Sequence, residues 1–93
     1  MDSKEITKKK SFFDEELDLG KDSFLILHND EINTFDFVIE TLVEVCKHDN
    51  TQAEQCAWIT HHRGKCDVKK GELEVLKPLK DEIVNRGLTV TIE

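Results

Sequence analysis

No stretch of the 93-residue chain approaches the eighteen or so apolar residues that a membrane-spanning helix needs, and MDSKEITKKKSFFDEELDLG has no apolar run long enough for a secretory signal. Positive charge is scarce too. Thirteen Lys and Arg stand against twenty Asp and Glu, and the formal net charge of −7 repels the phosphate backbone of a nucleic acid. The three cysteines, Cys46, Cys56 and Cys66, cannot all pair within the chain, and without an export signal they are expected to stay reduced. These shortages exclude membrane and nucleic-acid partners and point to a cytoplasmic protein, with a monomer as the simplest expectation. The length leaves room for one core and no second.

The chain divides near residue 20. Before it, charges come in blocks, KKK then DEELD, and the apolar pair Phe12 and Phe13 is too little to offset the entropy of ordering the segment. Residues 1–20 are therefore expected to be a flexible N-terminal extension and residues 21–93 the folded core. Within the core, SFLIL from Ser23 to Leu27 is a continuous apolar run of the length that makes a buried strand. A polar elbow, HNDEIN, follows. Phe35, Val38, Ile39, Leu42, Val45 and Cys46 then recur at helical spacing opposite Asp36, Glu40, Glu44 and Lys47, which predicts an amphipathic helix. Asn33 is a favoured N-cap for it, with Asp36 in the capping-box place.

Thr51 followed by Glu54 repeats that signature and predicts a second helix through Ala53, Cys56, Ala57, Ile59 and Thr60, ended by Gly64. KCDVK from Lys65 to Lys69 is expected to be a short strand. Gly71 turns into a third helix carrying Leu73, Leu76, Leu79, Ile83 and Val84, and Pro78 requires that helix either to begin close by or to kink. Gly87 stops it. LTVTI, β-branched at alternate positions, closes the chain as a strand. The fold class is thus α+β in the order β-α-α-β-α-β, a three-stranded antiparallel sheet with three helices packed on one face.

Two blocks in this pattern resemble the signature of the ClpS adaptor family. LHNDEINTFDFVIETLVEV is similar to its first block, apolar-apolar-Asn-Asp-Asp-x-Thr-Pro-Met-Glu-Phe-Val followed by a helix, and ITHHRGK is similar to its second, apolar-apolar-His-x-x-Gly-Lys. The resemblance extends to the last strand, LTVTIE, and covers nearly everything from Lys21 to Glu93. It implies a small domain similar to the C-terminal domain of the ribosomal stalk protein. It also implies an adaptor, not an enzyme, that binds proteins through a bulky hydrophobic first residue and delivers them to the N-terminal domain of a ClpA-like or ClpC-like AAA+ unfoldase. No cofactor or metal is implied. In the family the N-terminal extension is engaged by the unfoldase during hand-off. The alternative keeps the fold and the docking but drops the N-terminal pocket, leaving a regulatory module.

Carried over residue by residue, the resemblance assigns Asn29, Asp30, Glu31 and His61 to the ammonium of a substrate's first residue. That assignment is chemically apt, because an ammonium has three donors and no acceptor and needs acceptors held close together. Imidazole accepts only when neutral at one nitrogen, so binding is expected to weaken in acid, through the range where histidines ordinarily titrate. The matching pocket walls are Leu27, His28, Asn33, Phe35, Val38, Ala57, Thr60 and Leu88. Ala57 replaces a methionine common in the family, which is expected to widen the pocket toward isoleucine or valine, while Phe35 refills part of that volume. His28 and Thr60 place polar groups where the family is usually apolar, and an unpaired polar group in a closed pocket costs ~1–3 kcal/mol. Lys65, in the second block, is assigned to docking on the unfoldase.

Read without the resemblance, the same residues have plainer roles. Asn29, Asp30 and Glu31 suit a turn between strand and helix, and His61 suits the negative end of a helix dipole. Trp58 and Ile59 suit packing or docking, and His62 suits exposure. A zinc site from Cys46, Cys56, His61, His62 and Cys66 lacks the C-x2–4-C pairs of structural zinc. A cysteine–histidine hydrolase lacks an evident orienting group and a glycine-rich oxyanion loop.

Overall fold

A computed structural model describes residues 22–93, so the expected N-terminal extension lies outside the described residues. The elements run β1 (Ser23–His28), α1 (Phe35–Cys46), α2 (Asn50–Arg63), β2 (Lys65–Gly71), α3 (Leu73–Asn85) and β3 (Thr89–Ile92). The sheet is antiparallel with β1 in the centre, in the order β2-β1-β3. Type and order of every element match the expectation. Period-2 alternation places Leu25 and Leu27 inward against Leu42, Val45, Cys46, Leu76 and Ile83 of the helices, and turns Phe24, Ile26 and His28 toward the helix-free face. Val68 and Cys66 of β2 and Val90 of β3 complete the core.

The boundaries differ from expectation where side chains have competing work. The N-cap of α1 is Thr34, not Asn33: Thr34 Oγ1 accepts from Phe37 N–H at 3.1 Å, while Asn33 is drawn into the elbow by Asp30. Asp36 accordingly sits one place before the capping-box position, within reach of the helix dipole. The N-cap of α2 is Asp49, not Thr51. Its carboxylate accepts from Gln52 N–H at 2.7 Å, and a charged acceptor at the positive helix end outcompetes a hydroxyl two residues on. β2 reaches Gly71 rather than Lys69 because a register shift between Leu25 and Ile26 lets pairing continue to Ser23 opposite Gly71.

Helix α3 neither starts at Pro78 nor ends there. It begins at Leu73, and the missing proline donor leaves the Glu74 carbonyl on an exposed stretch where water can satisfy it. Three residues assigned to apolar faces are exposed instead: Phe35, Leu73 and Val84. Phe35 and Leu73 open their helices, and Val84 flanks the buried Ile83 in the last turn of α3. Long-range polar contacts fasten the helices to the sheet and to each other. Lys69 Nζ donates to Cys46 O at 3.2 Å, supplying from β2 the cation that the last turn of α1 lacks. Arg86 pairs with Glu44 at 2.6 Å and ties the end of α3 to α1.

Candidate functional site

The elbow between β1 and α1 is built around one carboxylate. Asp30 Oδ1 accepts from the backbone N–H groups of Ile32 at 2.9 Å and Asn33 at 2.8 Å, an Asx turn that reverses the chain. Asp30 Oδ2 accepts from Asn33 Nδ2 at 3.0 Å, and the same Nδ2 donates to Gly87 O at 2.9 Å, pinning the elbow to the end of α3. Partial burial alone would raise the Asp30 carboxyl. The hydrogen bonds from Asn33 and Ile32 outweigh it and hold the group below its ordinary 3.8, so it is a fixed negative charge at neutral pH.

A second tether brings the two sequence blocks together. Asn29 N–H donates to Gly64 O at 2.9 Å, which sets the elbow beside the last turn of α2, where His61 lies. Gly64 makes this approach possible because it closes α2 in the left-handed region, at φ 96°, which favours glycine.

Between elbow, α2 and the end of α3 opens a cavity of about 270 Å³. Its floor is buried and mostly apolar: Leu27, Ala57, Thr60 and Leu88. Its walls are Val38, Asn33, Asp30 and His28, all half-buried. Its rim is exposed and acceptor-rich, with Asn29, Glu31 and His61, and the exposed Phe35 completes the lining. The side chains assigned to the ammonium and to the pocket walls thus share one cavity. Lys65 does not join them. It borders a second, more open hollow with Ile26, Ile59 and Arg63, at the β2 edge of the sheet.

Neither unusual polar wall residue is unpaired. Thr60 Oγ1 donates to Cys56 O at 2.8 Å, the back-bond a helical threonine readily makes, and His28 Nε2 shares a 2.8 Å hydrogen bond with Thr91 Oγ1 on the helix-free face. The expected desolvation cost against apolar ligands is therefore reduced. Asp30 offers less than expected as a direct ligand, because its oxygens already hold three donors. These supports, Gly64 O, Gly87 O and Thr91, had no signal in the sequence apart from the glycines themselves. His62, expected to stand free in solvent, is exposed but packs on Trp58 with ring centroids 4.1 Å apart, and His61 meets it edge-on at 5.1 Å.

The cysteines stay clear of this cavity and are poor nucleophiles. Burial pushes the thiol of Cys46 up to about 11, against a smaller opposing pull from Lys69, and burial beside Cys56 pushes Cys66 up to about 12. Cys56 is raised by the same desolvation. A thiol kept protonated at neutral pH does not supply the thiolate that cysteine chemistry needs. Among the described residues no three His, Cys, Asp or Glu side chains converge as metal ligands. No described helix is long and apolar enough to cross a membrane.

Among solved structures, the chain is similar to that of Agrobacterium tumefaciens ClpS2 bound to L-phenylalaninamide. The TM-score is 0.68 at 23% sequence identity, covering 78% of this chain and 95% of that one, and the likeness establishes the shared fold. No curated protein sequence matches. The family model for the ATP-dependent Clp protease adaptor protein ClpS matches residues 21–91, essentially the whole described domain. The chain belongs to the ClpS family, a family of Clp protease adaptors and not of enzymes.

Proposed function

We propose that this protein is an adaptor that binds other proteins by a bulky hydrophobic first residue and delivers them to a Clp AAA+ unfoldase in the cytoplasm. The observation that carries the reading is the junction of two opposite environments within one small cavity. An exposed ring of acceptors, Asn29, Glu31 and His61, stands over a buried apolar floor. An N-terminal residue has the matching polarity: an ammonium with three donors at one end and an apolar side chain at the other.

In this reading Asn29 Oδ1, Glu31 and a neutral nitrogen of His61 accept from the ammonium, and Asp30 acts through its charge or a bridging water. Leu27, Val38, Ala57, Thr60 and Leu88 hold the side chain. A cavity of about 270 Å³ suits one side chain better than a length of peptide. The ligand in the ClpS2 structure, L-phenylalaninamide, has the same two ends and supports the reading. Lys65, outside the cavity, is left free for the unfoldase, and residues 1–20 take part in hand-off.

A titration of one labelled peptide body with Phe, Leu, Ile, Ser or acetylated Phe at its first position tests this. Binding of the free bulky residues is expected, with loss of at least tenfold on acetylation, since each charge-assisted bond is worth ~1.5–3 kcal/mol. Appreciable binding of Ile, lost in Ala57→Met, assigns the wider floor to Ala57. Equal affinity for all five peptides contradicts N-terminal recognition and favours a regulatory module that only docks on the unfoldase.

A further inference from the structure

Two polar side chains of the cavity, Thr60 and Asn33, have committed their donors elsewhere. The Thr60 hydroxyl proton is committed to Cys56 O, so this buried residue offers the cavity no donor. Asn33 is committed more tightly. Its Nδ2 donates to Asp30 Oδ2 and to Gly87 O, and both partners are pure acceptors, so the nitrogen must face them and the carbonyl oxygen must face away. Among the described residues Asn33 Oδ1 has no partner, while the residue itself lines the cavity. The His28 ring is engaged through Nε2 with Thr91. Asn29, Glu31 and His61 belong to the rim, where the ammonium is bound.

Resting on the N-terminal reading above, we infer that Asn33 is a specificity-determining residue whose Oδ1 accepts a hydrogen bond from the side chain of the substrate's first residue. The cavity therefore prefers a bulky aromatic first residue that carries a donor, tyrosine or tryptophan, over phenylalanine and leucine. A plain hydrocarbon side chain strips water from Asn33 Oδ1 and returns nothing, whereas a phenol O–H or indole N–H replaces the lost water. Rotation of the amide does not relieve the mismatch, because turning Nδ2 into the cavity would set Asn33 Oδ1 against Asp30 and the Gly87 carbonyl.

The test uses the unaltered protein and one peptide body whose first residue is Tyr, O-methyl-Tyr, Trp, 1-methyl-Trp, Phe or Leu, with acetyl-Tyr and acetyl-Phe as controls. The expected result is that Tyr or Trp binds about tenfold tighter than Phe, and that the advantage disappears when its donor is methylated. In Asn33→Leu, if the elbow stays folded, Phe and Leu should gain on Tyr and Trp. The proposal is overturned if Phe equals or exceeds both Tyr and Trp, or if the methylated residues keep the full advantage. Sensitivity to acetylation separates the two levels. If free and acetylated peptides bind alike, N-terminal recognition itself fails and this inference falls with it. If acetylation abolishes binding but Phe matches Tyr and Trp, only the role of Asn33 fails.

Discussion

Two connections in this fold do the same mechanical job with very different means. From β2 to α3 the chain needs only Glu72, whose backbone carbonyl accepts from Val75 and Leu76 and whose side chain caps nothing. From β1 to α1 it uses Asn29 through Thr34, with three side-chain-anchored hydrogen bonds on Asp30, a fourth from Asn33 to Gly87 and a threonine cap. Joining a strand to a helix evidently does not require such an arrangement. The excess separates into two sets. Asp30, Thr34 and the Nδ2 of Asn33 are consumed in holding the shape, whereas Asn33 Oδ1 and, out at the rim, the side-chain acceptors of Asn29 and Glu31 have no partner among the described residues. Rigid support beneath presented acceptors is what the proposed binding site requires.

That division can be broken at each of its parts. The largest effect is expected at the rim: Asn29→Ala removes a proposed ammonium acceptor and should weaken peptide binding by about tenfold or more. Thermal stability should stay unchanged, since the tether to Gly64 uses the Asn29 backbone N–H. A matching fall in melting temperature would make Asn29 structural.

Asp30→Ala should instead cost both, with about 1–2 kcal/mol of stability from freed donors and a parallel loss of binding, read by chemical denaturation and peptide titration. Acid should reproduce it. The folded-state pKa of Asp30 lies below the ordinary 3.8, so its stabilising contribution is present above that pH and is lost as pH falls below it toward the folded value. An Asp30→Asn variant should show a shallower acid dependence than the parent.

Smaller effects are expected at the caps. Thr34→Ala should cost about 1 kcal/mol of stability and leave affinity nearly unchanged. Smallest of all, Glu72→Ser in the plain connection should gain a few tenths to about 1 kcal/mol, because that helix start has no side-chain cap to lose. If Glu72→Ser destabilises, the contrast between the two connections rests on something other than capping.

How far the sequence carried depended on the range of the interactions involved. Element types and order were legible because they follow from local periodicity, as in LTVTI or the Leu42–Val45–Cys46 stripe. Element ends were not. Asn33 and Thr34 are both good caps, and what decided between them was the competing contact of Asn33 with Asp30 and Gly87, the latter at the far end of α3. Pro78 and the exposure of Leu73 and Val84 likewise follow from how α3 lies on the sheet. The residues of the cavity were named from a family resemblance. Spacing alone justified only a turn and a helix cap, and nothing local disclosed that Gly64 O draws Asn29 toward His61.

The central claim, that the unspent acceptors of the β1–α1 elbow receive an ammonium, is tested most directly by backbone NMR titration with L-phenylalaninamide and with its N-acetyl derivative. The account predicts saturable shifts confined to Asn29–Phe35, Ala57–Gly64 and Leu88 for the free amine and none for the acetylated compound at equal concentration. Shifts of equal size for both compounds, or shifts centred on Phe24, Ile26 and Lys65 at the other hollow, would contradict it.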